Sequence, residues 1–155
     1  MVAEGTVVFL DSGIGGLSHC PEFLRQSQCS HLVYLADTAN FPYGSKDAKT
    51  LQRILIGNID ALLKQVNPCL VVIACNTASV SALDVLRKRY AGIQFVGTVP
   101  AIKPAAKFSQ TRNIGIIATE RTIAEPYIYD LMEKHAPDAR LFTFADPHLV
   151  SFVEE

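Results

Sequence analysis

Short apolar runs alternate with helical stretches along almost the whole chain. The runs lie at 6–10, 32–36, 69–74, 93–96, 114–118 and 141–145. Most are rich in Val, Ile and Phe and too continuous for half-exposed strands. Such runs suit strands of a parallel sheet covered on both faces. Between them, Ala48, Leu51, Leu55, Ile59, Leu62 and Val66 recur at helical spacing and predict one apolar helix face. Asp47 is placed to start that helix, and Pro68 follows its end. Ala82, Leu83, Leu86 and Tyr90 predict a second helix face. Tyr127, Leu131 and His135 predict a third, opened by a capping box from Thr122 to Glu125. Repeated strand–helix order with short links implies right-handed βαβ units, hence an α/β fold with a mainly parallel sheet flanked by helices. Pro100 and Pro104 interrupt the pattern, which predicts a first α/β domain over 1–98 and a partial second one over 99–155. Residues 150–155 read as a helix barely begun, as in a truncated or partial chain.

Composition narrows the class without naming a function. Of 155 residues, 49% are hydrophobic and 19% charged, an ordinary soluble globular balance. The formal net charge of −1 supplies no field to recruit nucleic acid or an acidic membrane. The densest cations, Arg87, Lys88 and Arg89, read as charges at a helix C-terminus. No stretch reaches the roughly 20 apolar residues of a membrane span. Glu4 and Asp11 bracket the first apolar run, which is not the order of a signal peptide. The four cysteines show neither C-x-x-C nor a zinc pattern, so a cytosolic protein with free thiols is expected. His19, His31, His135 and His148 pair with nothing at metal-ligand spacing, so no metal site is expected.

The candidate chemistry follows the strands, because ligands of open parallel sheets bind outside the strand carboxyl ends. The first run ends in the Gly-rich turn 11–16, whose backbone N–H groups could face an anion. It is not a dinucleotide fingerprint, since Ser18 holds the third glycine position. Asp11 and Ser12 could equally be plain caps of the next helix. The second run ends in Asp37, with Phe41, Pro42, Tyr43, Gly44 and Ser45 beyond it. The third ends in Cys75, Asn76 and Thr77, and the fifth in Thr119, Glu120, Arg121 and Thr122. Cys75 is the sharpest of these. At a strand-to-helix junction its thiol would feel the positive helix end, which predicts a lowered pKa and the most reactive of the four thiols near neutral pH. Cys20, Cys29 and Cys69 read as structural.

Taken in order, these motifs resemble the glutamate racemases of the Asp/Glu racemase family over nearly the whole chain. They are Asp11-Ser12-Gly13-Ile14-Gly15-Gly16-Leu17, then Asp37 with Phe41-Pro42-Tyr43-Gly44, then Ala74-Cys75-Asn76-Thr77-Ala78-Ser79. Gly97-Thr98-Val99-Pro100-Ala101 and Ile114-Gly115-Ile116-Ile117-Ala118-Thr119 follow. Broader Asp/Glu racemases share the Cys-Asn-Thr element, whereas the first motif and the Phe-Pro-Tyr-Gly loop point to the glutamate branch. The resemblance implies an Asp/Glu racemase-like fold with an incomplete second domain. It implies interconversion of L- and D-glutamate by two thiols without pyridoxal phosphate or metal, supplying D-glutamate for peptidoglycan, and so for cell-wall biogenesis and cell shape, in the bacterial cytoplasm. Cys75 would be one catalytic thiol. Asp11 and Ser12 would contact the substrate amino group and neighbouring atoms, and Tyr43 and Gly44 would line the site. Asn76, Thr77 and Thr119 would hold the carboxylates and ammonium. Glutamate would be the ligand, with a homodimer allowed and neither nucleic acid nor membrane as partner. The departure is that no cysteine follows Cys75 in this chain, so the second thiol is not in it. The full-length parent is expected to be the enzyme, and the 155-residue chain to be inactive alone. Two other readings stay open: an inactive substrate-binding or regulatory half-module, and a racemase for aspartate or another amino acid.

Overall fold

The computed structural model describes residues 5–154; Glu4 and Glu155, which entered the sequence reading, lie outside them. Strands β1 (Thr6–Asp11), β2 (His31–Ala36), β3 (Pro68–Ile73) and β4 (Gln94–Gly97) form a parallel sheet in the order β2-β1-β3-β4. Its helices are α1 (His19–Gln26), α2 (Ala48–Leu62) and α3 (Asn76–Arg89). Strand side chains alternate between faces, and the two faces of β1 bury separate clusters. Val8 and Leu10, with Val71 and Ile73 of β3, pack on Leu51, Leu55 and Ile59 of α2 and on Ala82 and Leu86 of α3. Val7 and Phe9 pack on the α1 side with Cys20 and Phe23, the two Phe rings meeting edge-on at 5.4 Å. Each such aliphatic or aromatic side chain contributes about 1.5–3 kcal/mol on burial, so the centre of this sheet is the rigid base of the molecule.

The predicted α2 face is the buried one, and Asp47 caps that helix by accepting from the Thr50 N–H at 3.0 Å. The helix closes at Leu62, four residues short of Val66, in a turn that leads to Pro68. Arg87, Lys88 and Arg89 occupy the last turn of α3 as read from the sequence.

After residues 98–101 come α4 (Ile102–Phe108), β5 (Asn113–Ala118), α5 (Glu120–Ile123), α6 (Pro126–His135), β6 (Arg140–Ala145) and α7 (Leu149–Glu154). β5 and β6 pair in parallel, Ile114 opposite Leu141 and Ile117 opposite Phe144. One face of this pair rests on Ile102, Ala106, Ile128 and Met132. The cover on both faces that such runs suit is not met here: Ile117, Phe142 and Phe144 are 66%, 59% and 62% exposed. A continuous apolar run states that a strand is fit to be buried twice. It does not state that the covering layer is present.

The capping box is a second correction. Thr119, not Thr122, is the cap of α5, accepting from the Thr122 N–H at 3.2 Å, and α6 opens at Glu125 with Pro126 in its first turn. The Glu125 carboxylate is engaged elsewhere: it accepts from Ser81 Oγ of α3 at 2.9 Å and lies 3.1 Å from Arg121 Nε. A tertiary partner has taken the side chain that the local pattern assigned to a cap. Among the described residues, no helix is long and apolar enough to cross a membrane.

Candidate active site

Backbone hydrogen bonds carry the first sheet one residue past its strands and set the motif residues side by side. The Ala74 N–H donates to Leu10 O (2.8 Å), the Asp37 N–H to Asp11 O (2.8 Å), and the Thr98 N–H to Ile73 O (3.1 Å). Asp11, Asp37, Cys75 and Thr98 therefore stand at one level of one sheet edge. Thr98 Oγ1 also donates to Ala74 O at 3.0 Å, and Ser79 Oγ to Ile73 O at 2.9 Å, which fixes the backbone that delivers Cys75. In the second sheet the Asp146 N–H donates to Ala118 O at 3.0 Å, where Thr119 begins α5.

A cleft of about 390 Å³ lies between these edges. All eight residues read from the sequence as site residues line it: Asp11, Ser12, Tyr43, Gly44, Cys75, Asn76, Thr77 and Thr119. The first seven come from the first sheet and its loops; Thr119 reaches them across α5, with Gly44 directly against it. A Cβ on Gly44 would sit 2.7 Å from both Cβ and Cγ2 of Thr119.

Asp11 is buried and holds its own loop. Oδ1 accepts the Ser12 N–H at 2.7 Å, and Oδ2 accepts the Gly16 N–H at 2.6 Å. The Tyr34 hydroxyl lies 3.1 Å from Oδ2 and 3.0 Å from Gly13 O. A carboxylate has about four lone-pair sites, so Asp11 keeps acceptor capacity on Oδ1 for an incoming cation. The turn is thus more than a pair of helix caps: its carboxylate is oriented by the glycine backbone and faces the cleft.

Cys75 lies beside this anion. Its Sγ is 3.8 Å from Ser12 Oγ, and it is the N-cap of α3. The lowered pKa expected from the helix terminus is not what the surroundings give. Burial pushes the Cys75 thiol up, the Asp11 charge adds to this, and the N–H groups of Ala78 and Thr77 only partly oppose it. Desolvating a thiolate outweighs the fixed dipoles here. The expectation that Cys75 is the most reactive thiol at neutral pH is revised accordingly. With a limiting alkylating reagent at pH 7, exposed Cys69 is expected to label before Cys75, and the Cys75 rate to climb with pH through a midpoint above the ordinary thiol value. Mass-mapped labelling between pH 6 and about 10.5 checks this; a Cys75 midpoint below that of a free thiol would refute it.

The sequence places Thr122 in the polar cluster after the fifth run but assigns its side chain to a cap rather than to the site. Thr77, Thr119 and Thr122 hydroxyls form a triangle with edges of 3.0, 3.1 and 3.0 Å, all three buried. Each hydroxyl has one proton to donate, and a head-to-tail ring places all three. An anion entering the cleft would meet hydroxyl donors already gathered in one place, each exchanging a hydrogen bond within the triangle for one to the anion. His19, Leu149 and Val150 also line the cleft and were not read as site residues, and Pro100, known only as part of a motif, lines it too. Leu149 and Val150 carry no chemical signal in sequence, and the sequence offers His19 no partner at metal-ligand spacing. Among the described residues no cluster of His, Cys, Asp or Glu could hold a metal ion.

No protein-family model matches the chain. It is 40% identical over 150 residues to a glutamate racemase of Glaesserella parasuis, covering 97% of this chain and 56% of that protein. It is 37% identical over 153 residues to one of Proteus mirabilis, covering 99% and 53%. The fold matches a crystal structure of Escherichia coli glutamate racemase in complex with L-glutamate and the activator UDP-MurNAc-ala. There the TM-score is 0.84 at 32% identity, over 96% of this chain and 56% of that one. A glutamate racemase isoform of Bacillus anthracis gives 0.83 at 27%, with the same coverage. The chain thus spans about half the length of the curated relatives it matches, and over that half its sequence and its parallel α/β fold are similar to those of glutamate racemases.

Proposed function

We infer that this chain is part of a glutamate racemase and supplies one of the two thiols that move the α-proton between the faces of glutamate. The observation that carries the reading is the gathering of Cys75, the Asp11 carboxylate and the threonine hydroxyl triangle around one cleft, in a chain that matches glutamate racemases over nearly all its length. We divide it into a first domain over 1–98 and part of a second over 99–155.

The chemistry sets the requirements. An amino-acid α-proton is very weakly acidic, so the base must act where water is excluded and where donors meet the charge that builds up. Cys75 is the base for one enantiomer. Its raised pKa makes the thiolate a stronger base once formed, and the approach of an ammonium beside Asp11 offsets the negative field that opposes ionisation. Asp11, with Ser12, takes the ammonium. Asn76 and the hydroxyls of Thr77, Thr119 and Thr122 take carboxylate oxygens. Tyr43 and Gly44 form the wall that keeps water out. The reaction needs no electron sink from a cofactor if these donors and the neighbouring ammonium stabilise the carbanion. Action in the bacterial cytoplasm, supply of D-glutamate to peptidoglycan and an influence on cell shape belong to this same reading, as does a homodimer of the complete enzyme.

The runners-up are separated by ligand. D- and L-glutamate are each expected to slow alkylation of Cys75 in this chain, with Cys69 labelling unchanged as an internal reference, while aspartate at equal concentration protects less. Equal or better protection by aspartate favours the aspartate reading. Protection by neither amino acid overturns substrate binding by this half of the cleft.

A further inference from the structure

Behind the cleft lies a polar cluster that the proposed chemistry does not use. Asp37 is 7% exposed, and three side chains converge on it. The Tyr43 hydroxyl donates to Oδ2 at 2.7 Å and Asn58 Nδ2 to the same oxygen at 2.8 Å; Asn40 Nδ2 lies 2.9 Å from Oδ1 and 3.0 Å from Oδ2. Asn58 belongs to α2, Asn40 to the turn after β2, and Tyr43 to the loop that reaches Thr119. The Asp37 backbone is itself tied to β1 through Asp11 O.

A carboxylate, which accepts on both oxygens and has no proton of its own to place, suits this arrangement. Three donors meet at one carboxyl group, and an amide there would turn its own N–H₂ toward at least one of them. The hydrogen bonds are strong enough to hold the Asp37 carboxyl below the usual carboxylate range although burial pushes it up. Tyr43 is 1% exposed and its hydroxyl is committed to Asp37. What it offers the cleft is therefore its ring. The next residue, Gly44, already touches Thr119 closely enough to leave no room for a Cβ. A shift of Tyr43 passes directly to Gly44, to Thr119, and to the hydroxyls that Thr119 holds.

We propose that Asp37 is a positioning residue of the cleft: by gripping the Tyr43 hydroxyl it fixes the Tyr43–Gly44 wall against Cys75 and Thr119. In calling that wall part of a substrate site, the proposal rests on the racemase reading. The seating of the wall does not depend on it.

The test compares Asp37→Asn, Tyr43→Phe, the double variant and Ile59→Val in this chain. Ile59 lies in the same helix as Asn58 but in the apolar core, so its variant loses packing and no hydrogen bond. Two readouts are taken: the alkylation rate of Cys75 at fixed pH, and the alkaline absorbance step that Tyr43→Phe removes. Asp37→Asn and Tyr43→Phe are each expected to raise the Cys75 rate about tenfold, and the double variant no further, because residues of one network couple. Ile59→Val is expected to leave the rate unchanged. The absorbance step is expected to move to lower pH in Asp37→Asn, since burial and Asp37 together push the Tyr43 phenol up in the parent chain. A folded Asp37→Asn with the parent Cys75 rate, or singles whose effects multiply in the double, overturns the proposal. Where Asp37→Asn does not fold, a parent rate in Tyr43→Phe overturns it equally. The racemase reading fails by a separate sign, absence of glutamate protection, which leaves these rates and their non-additivity untouched.

Discussion

Gly16→Ala is expected to lower the unfolding free energy by about 3 kcal/mol, the upper range for overpacking a tight interior. A Cβ at residue 16 would lie 2.5 Å from Ala74 Cβ, 3.0 Å from Asp11 Oδ2 and 3.1 Å from the Tyr34 hydroxyl. None of these neighbours can step aside cheaply. Ala74 has its N–H bound to Leu10 O at the centre of the first sheet. Asp11 is held from two sides by its own loop. Moving the turn instead would stretch the 2.6 Å bond from the Gly16 N–H to Asp11, leaving a buried carboxylate short of a donor, which adds to the steric cost. The contrast is Gly57, exposed in α2 with nothing within 4 Å of a new Cβ. Gly57→Ala is expected to stabilise by about 0.5–1 kcal/mol through helix propensity alone. Urea unfolding of both variants beside the parent checks the pair. A Gly16→Ala chain as stable as the parent would mean that the turn does not press on β3, and that Asp11 is not oriented as described.

The same turn shows what a sequence states and what it leaves out. Periodicity located the strands of the described residues within a residue or so, because strands fit for burial leave continuous apolar runs, and it placed α2 through its apolar stripe and its Asp47 cap. The sheet edge was legible for a physical reason as well: polar residues that directly follow such runs have nowhere to stand except at the strand carboxyl ends. Less legible were features made by residues far apart in the chain. Nothing local to Thr122 says that its hydroxyl meets that of Thr77, 45 residues away. The local signal, a threonine three places before a glutamate, pointed to a cap that Ser81 and Arg121 preclude by claiming Glu125. The Cys75 pKa failed similarly. The helix terminus is visible in sequence, but the burial that outweighs it is a property of the packed cleft. The open face of β5 and β6 is a third case, since Ile117 and Phe144 are written as buried residues and stand exposed.

In heavy water, this chain is expected to exchange the α-proton of one glutamate enantiomer slowly and to invert neither. One thiol takes a proton from one face of the α-carbon and can return a deuteron only to that face, which regenerates the starting enantiomer with label. Inversion needs a donor on the opposite face. Cys20, Cys29 and Cys69 do not line the cleft, β5 contributes Ile116, Ile117 and Ala118, and α7 contributes Leu149 and Val150, none of which ionises. The Tyr43 hydroxyl is bound to Asp37. Solvent is a poor substitute, because water that can reach the far face also competes for the hydrogen bonds that stabilise the carbanion. Cys75→Ala is expected to reduce exchange by roughly 100- to 10,000-fold, the usual contribution of a positioned general base. His19 is another ionisable side chain that lines the cleft, so His19→Gln is assayed beside it and is expected to change exchange little. The measurement follows deuterium uptake by mass spectrometry and enantiomer ratio by circular dichroism, starting separately from D- and L-glutamate. Inversion by the purified chain, lost in Cys75→Ala or in His19→Gln, would show that a second acid is already present on this half of the cleft and that a second thiol is dispensable. Exchange that survives Cys75→Ala undiminished would remove Cys75 from the chemistry altogether.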